Sequence, residues 1–134
     1  MKGTYLLVIE INQTSSIEIG ALKTIRFPKG FFIYVGSAMG QRGSTTLVNR
    51  VKRHIKPITQ KKFHWHIDYF LANEKTVIKK IILLPASEKY ECNLAKALIK
   101  TADGNIRDFG SSDCNCESHL IYFKNIDKIL NKLV

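Results

Sequence analysis

No apolar run in this sequence is long enough to cross a membrane. Runs such as Ile81-Ile82-Leu83-Leu84 extend over a few residues, far short of the ~20 that a bilayer-spanning helix needs. The apolar N-terminal stretch Tyr5-Leu6-Leu7-Val8-Ile9 is interrupted by Glu10 and has no small-residue cleavage site behind it. It therefore does not read as a secretion signal, and a cytoplasmic location is expected. Cysteine is scarce: Cys92, Cys114 and Cys116 form an odd set without secretory context, which argues against a disulfide framework and for reduced thiols. Acidic residues are also few, with 11 Asp and Glu against 21 Lys and Arg. At 134 residues there is room for one core and not two. The 45% hydrophobic and 24% charged composition is that of a folded chain.

The charge balance is the first functional clue. A net charge of +10 and a pI near 9.7 favour polyanionic partners, of which nucleic acids are the commonest in the cytoplasm. Arg50, Lys52, Arg53, His54 and Lys56 lie within seven residues, and Lys61 and Lys62 follow closely. The plainer account of these lysines is a solvated surface, but their clustering favours nucleic-acid binding. Ser37, Lys52, Arg53, Lys56, Lys61 and Lys62 are the candidate nucleic-acid contacts.

Strands are expected at Gly3–Ile11, Ser16–Ile19, Leu22–Phe27 and around Phe31–Val35, separated by Asn12–Ser16 and the Pro28-Lys29-Gly30 turn. A glycine- and serine-rich loop follows Gly36. Beyond it, Leu47, Val48, Val51 and Ile55 repeat at helical spacing, with Ser44 or Thr45 as the expected cap and Pro57 as the stop. Residues 63–71 are read as a short helix, although Trp65, Ile67, Tyr69 and Leu71 alternate as in a strand. Residues 76–84 look like a buried strand, and a helix capped by Ser87 is expected from about Glu88 to Thr101. A final strand over 119–123 and a C-terminal helix capped by Asn125 complete the pattern. The expected fold is a single α+β domain over residues 1–134, with a largely antiparallel central sheet of three or more strands flanked by helices.

Four short motifs occur in order: Gly3-Thr4-Tyr5, Tyr34-Val35-Gly36, Leu47-x-x-Arg50-Val51-x-x-His54 and Glu91-Cys92-Asn93-Leu94-Ala95-Lys96. Each alone is weak. As an ordered set they resemble the GIY-YIG nuclease superfamily, whose fold and chemistry become the expectation over about Gly3 to Lys96. A branch of that superfamily shares the His64-Trp65-His66 segment and the Ser-Ser-Asp-Cys loop at 111–114. The resemblance implies an endonuclease hydrolysing phosphodiester bonds in structured or damaged DNA, with a role in repair. It implies Tyr5, Tyr34, Arg50, His54 and Glu91 as the catalytic set, and Mg²⁺ or Mn²⁺ held by Glu91. Arg50 would clamp the scissile phosphate. Tyr34 or Tyr5 would position or deprotonate water, a role requiring a lowered phenol pKa. His54 would share the proton or contact the phosphate.

The sequence departs from the superfamily pattern in three places. Twenty-eight residues separate Tyr5 from Tyr34, so an extra strand or turn must be inserted. The loop before Arg50 is long. Ser37 stands where repair members often carry lysine, which favours a second reading: a non-catalytic nucleic-acid-binding domain that keeps the fold. Taken singly, the site residues have plainer explanations, Tyr5 as core and Glu91 as a favourable first-turn charge. Trp65 and its flanking histidines fit base stacking or core packing equally. Cys114, Cys116 and His119 have zinc-ligand chemistry, but the one-residue gap lies outside the usual spacing. Cys92 or His64 completes a set only if the fold brings it near, so a loop packed beside the active site is expected there in place of a zinc site.

Overall fold

The computed structural model describes residues 1–57, 62–111 and 116–125. Lys61, Cys114 and the expected C-terminal helix after Asn125 lie outside them. In chain order the elements are β1 (Gly3–Ile11), β2 (Ser15–Glu18), β3 (Thr24–Phe27), β4 (Gly30–Ala38), α1 (Leu47–Ile55), α2 (His66–Leu71), β5 (Thr76–Pro85), α3 (Glu91–Ile99), β6 (Gly104–Asn105) and β7 (Leu120–Phe123).

Five strands form one sheet in the order β5-β1-β4-β7-β6, and every adjacent pair is antiparallel. The β2–β3 hairpin forms a second, two-stranded sheet. It is the insertion implied by the long separation of Tyr5 from Tyr34. The fold is thus the expected α+β domain with an antiparallel centre.

β1 and β4 are covered on both faces, which explains why their sequences are continuous apolar runs rather than alternating ones. Tyr5, Leu7, Ile9 and Ile11 pack with Phe32, Tyr34, Leu47, Val51, Ile67 and Phe70 on one side. Leu6, Val8, Ile33 and Val35 pack with Ala95 and Leu98 of α3 on the other. Each such side chain, fully buried, stabilises the fold by roughly 1.5–3 kcal/mol relative to exposure.

The structure corrects three boundary or burial expectations. β5 is not a buried strand: Val77, Ile81, Leu83 and Leu84 are exposed. It pairs with β1 alone and forms an edge of the sheet. The cap of α1 is Thr46, whose hydroxyl accepts from the Asn49 N–H at 3.3 Å, because Gly43–Thr45 form a 3-10 turn first. α3 starts at Glu91 after Tyr90 and not at Glu88 after Ser87. The chain leaving β5 is still held to the sheet there by the Ala86 N–H to Lys2 carbonyl bond at 3.0 Å.

Candidate active site

The register of β1 against β4 sets Tyr5 opposite Gly36 and Leu7 opposite Tyr34, so both tyrosines project from the same face of the sheet. Their ring centroids lie 6.3 Å apart. Gly36 is required by this arrangement, since a Cβ there would run into the Tyr5 ring. The glycine in Tyr34-Val35-Gly36 is therefore steric: it makes room for the first tyrosine.

α1 crosses above this pair, and its helical period decides the role of each residue. Leu47, Val51 and His54 turn inward, while Lys52 and Lys56 are exposed. Arg50 is half-buried and lines a cleft of about 420 Å³. Tyr5, Tyr34, Ser37, Arg50 and Glu91 all line that cleft, with Trp65, Lys89, Gly110 and His119 among their neighbours. Residues far apart in sequence thus meet at one surface through β1, β4, α1 and the first turn of α3.

His54 stands behind the cleft wall and not in it. It is 2% exposed, and its Nε2 lies 2.6 Å from the Tyr5 hydroxyl. Burial, followed by the repulsion a Tyr5 phenolate would meet from Tyr34, holds the Tyr5 pKa well above the usual 10.0; Arg50 pulls the other way and loses. The lowered tyrosine pKa that a phenolate base requires is thus reversed at Tyr5. Its phenol stays protonated at neutral pH.

Glu91 lines the same cleft from the first turn of α3. Its Oε1 is 3.1 Å from Lys89 Nζ, and its Oε2 is 3.8 Å from His119 Nδ1. Neither Lys89 nor His119 is assigned to the active site by the motifs. Lys89 was findable only as a cation two residues before Glu91. His119 sits beyond the region of resemblance, and the antiparallel return of β7 along β4 brings it in. Its backbone is fixed on both sides, by His119 N–H to Phe109 O at 2.8 Å and Val35 N–H to His119 O at 2.9 Å.

The second wall is built on Asp68, which is fully buried. Arg53 grips it through a two-pronged pair, Nη1 to Oδ1 and Nη2 to Oδ2, both at 2.8 Å. The backbone N–H groups of His64 and Trp65 also donate to Oδ2 at 2.8 Å. Burial pushes the Asp68 carboxyl up, but these four bonds and the Arg53 charge outweigh it, so its pKa lies below 3.8. Arg53, a candidate nucleic-acid contact, is thus engaged with Asp68 and with the Lys62 carbonyl. Lys62 itself is exposed. The guanidinium groups of Arg50 and Arg53 lie over the Trp65 ring, 4.5 and 4.3 Å from its centre. It lines the cleft while packing against the core, so both readings of Trp65 apply. His66 turns away to accept the Gly110 N–H at 2.9 Å, and burial lowers its pKa below 6.5.

Cys92 and Cys116 are joined by a disulfide with a Cα separation of 5.8 Å, which corrects the expectation of three reduced thiols. The fold packs the first turn of α3 against the segment entering β7, so cysteines 24 residues apart become neighbours.

A model of one protein family, the domain of unknown function DUF123, matches residues 4–134. Neither a curated protein nor a solved structure matches the chain.

Proposed function

The chain belongs to the DUF123 family, and from its cleft we propose that it is a metal-dependent endonuclease acting on DNA, with structured or damaged duplexes as substrate. One observation carries this reading. Tyr5, Tyr34, Arg50 and Glu91, the residues singled out by resemblance to the GIY-YIG nucleases, line a single cleft.

Hydrolysis of a phosphodiester needs a positioned water, positive charge on the phosphoryl oxygens and a proton acceptor. Arg50 in the cleft presents a permanently charged fork to the scissile phosphate. Tyr34 orients the attacking water. Tyr5, kept neutral by burial, acts as a relay: its oxygen accepts a proton from water while its own proton passes to His54 Nε2, 2.6 Å away. His54 ends the step as imidazolium.

Glu91 is the one carboxylate among the described residues lining the cleft. A hard divalent ion such as Mg²⁺ or Mn²⁺, completed by waters and phosphate oxygens, would be held at this carboxylate. When bound, such an ion neutralises charge on the phosphoryl group and acidifies water. Lys89 brings a further cation beside Glu91.

The exposed Lys52, Lys56 and Lys62 supply sequence-independent phosphate contacts, so binding weakens steeply with salt. Ser37 at the lysine position supports the second reading, a DNA-binding domain without catalysis. Pure protein incubated with nicked, flapped, branched and plain duplex DNA separates the two. The nuclease reading expects cutting with Mg²⁺ or Mn²⁺ that chelator stops. Salt-sensitive binding without cutting on any substrate replaces it with the binding-only reading.

A further inference from the structure

Beside Glu91 lies a cluster that the proposed phosphodiester hydrolysis does not use, and its histidine, His119, also lines the cleft. The Sγ atoms of Cys92 and Cys116 and a ring nitrogen of His119 all fall within 4.8 Å of one another. Cys92 Sγ is 3.7 Å from His119 Nε2. Cys116 and His119 are buried and Cys92 is half-buried. The short separation of Cys116 and His119 lets both side chains reach one ion, and the fold brings Cys92 to them.

We propose that Cys92, Cys116 and His119 form a binding site for a thiophilic divalent metal ion of the zinc type when the two cysteines are reduced. Zinc–sulfur bonds near 2.3 Å and zinc–nitrogen bonds near 2.0–2.1 Å, at tetrahedral angles, place sulfur and nitrogen ligands about 3.6 Å apart. The observed 3.7 Å between Cys92 Sγ and His119 Nε2 is that separation. The two ring nitrogens of His119 are divided between neighbours. Nε2 faces the sulfurs, and Nδ1 faces Glu91 Oε2 at 3.8 Å. A carboxylate behind a ligating imidazole fixes the tautomer and raises the basicity of the metal-binding nitrogen. The site also rests on fixed backbone, since β4 and Phe109 hold the His119 peptide groups.

The disulfide and the metal are alternative states of the same sulfurs. A dithiol reductant opens the bond by exchange: its first thiolate attacks one protein sulfur and expels the other as thiolate. Its second thiolate attacks the reductant sulfur of the resulting mixed disulfide and expels the remaining protein thiolate. The dithiol leaves as its own disulfide, and Cys92 and Cys116 become thiols. The metal then displaces one proton from each. In both states the first turn of α3, which carries Glu91, is tied to the segment entering β7. This assignment is independent of whether the cleft cuts DNA.

The test is a cobalt titration of the wild-type protein, reduced and freed of reductant without air, followed by alkylation and peptide mass mapping. The expected result is one Co²⁺ per chain with a thiolate-to-metal charge-transfer band, displaced by Zn²⁺. Bound metal should protect Cys92 and Cys116 from alkylation. Because this reads the unmutated chain, misfolding of a variant cannot mimic failure. Absence of the band, or protection that excludes Cys92, overturns the site. Glu91→Gln should weaken cobalt binding by roughly 10–100-fold, and an unchanged affinity overturns the link between Glu91 and the metal through His119.

Discussion

Removing the Arg53 guanidinium tests how the cleft wall is held. Asp68 is fully buried and accepts four hydrogen bonds, two of them from Arg53. Arg53→Ala leaves a buried carboxylate with its two backbone donors and no counter-charge. Losing one partner of a buried pair costs about 3–5 kcal/mol. Two donors remain, and the Arg53 side chain is 23% exposed, so the low end, about 3 kcal/mol, is expected. That is a large fraction of the roughly 5–15 kcal/mol that stabilises such a domain, and it lowers the melting temperature by roughly 10 °C. Urea unfolding at neutral pH measures it. Arg53→Lys should fall between the two, because an ammonium cannot bridge both carboxylate oxygens.

The pH dependence of this difference has a definite sign. The folded-state pKa of Asp68 lies below 3.8, so its stabilisation is complete above that value and is lost as pH falls through the depressed one. The gap between wild type and Arg53→Ala should therefore narrow in acid. A neutral-pH loss under about 1 kcal/mol, the range of exposed pairs, would refute the buried-clamp account. A gap that widens on acidification would refute it equally.

Three further outcomes follow from the site. Gly36→Ala should destabilise by about 1–3 kcal/mol as the new methyl meets the buried Tyr5 ring; a wild-type urea midpoint would show that Tyr5 moves aside freely. Tyr5→Phe removes the hydroxyl facing His54 and should slow DNA cleavage by roughly 10²–10⁴-fold, the scale of general acid–base assistance, with DNA affinity retained; an unslowed variant rules out the relay. His66 is kept neutral by burial, so its contribution is complete above pH 6.5 and lost as pH falls through its depressed value. His66→Gln, whose side-chain oxygen can still accept from Gly110, should lose stability less steeply than wild type between pH 7 and 5. Identical slopes would contradict this.

The sequence made β1, β4 and α1 legible because their residues follow local rules, namely apolar β-branched runs and a helical apolar period ended by proline. Burial of β5 was misjudged because Val77, Ile78, Ile81, Ile82 and Leu83 look alike on a central strand and on an edge, and only pairing distinguishes the two. The four motifs located Tyr5, Tyr34, Arg50 and Glu91 before their meeting place was visible. They placed His54 beside them, but showed neither its position behind Tyr5 nor the burial of Tyr5 itself, which raises the tyrosine's pKa instead of lowering it. Asp68 was out of reach, and His119 was legible only as a possible metal ligand beside Cys114 and Cys116, because neither position announces its neighbours in the cleft. Asp68 acquires its role from Arg53, 15 positions earlier, and His119 from the return of β7 along β4. The Cys92–Cys116 pair had the same obstacle, since sequence spacing drew attention to Cys114 and Cys116 instead.

The central claim is that Glu91 and its neighbours in the cleft cut DNA. Its most direct test is Glu91→Ala compared with wild type on one branched duplex, with affinity and cleavage rate measured in the same Mg²⁺ buffer. The account predicts cleavage lost and affinity nearly unchanged, because the basic residues that hold the phosphates are left intact. Undiminished cleavage by Glu91→Ala would contradict it.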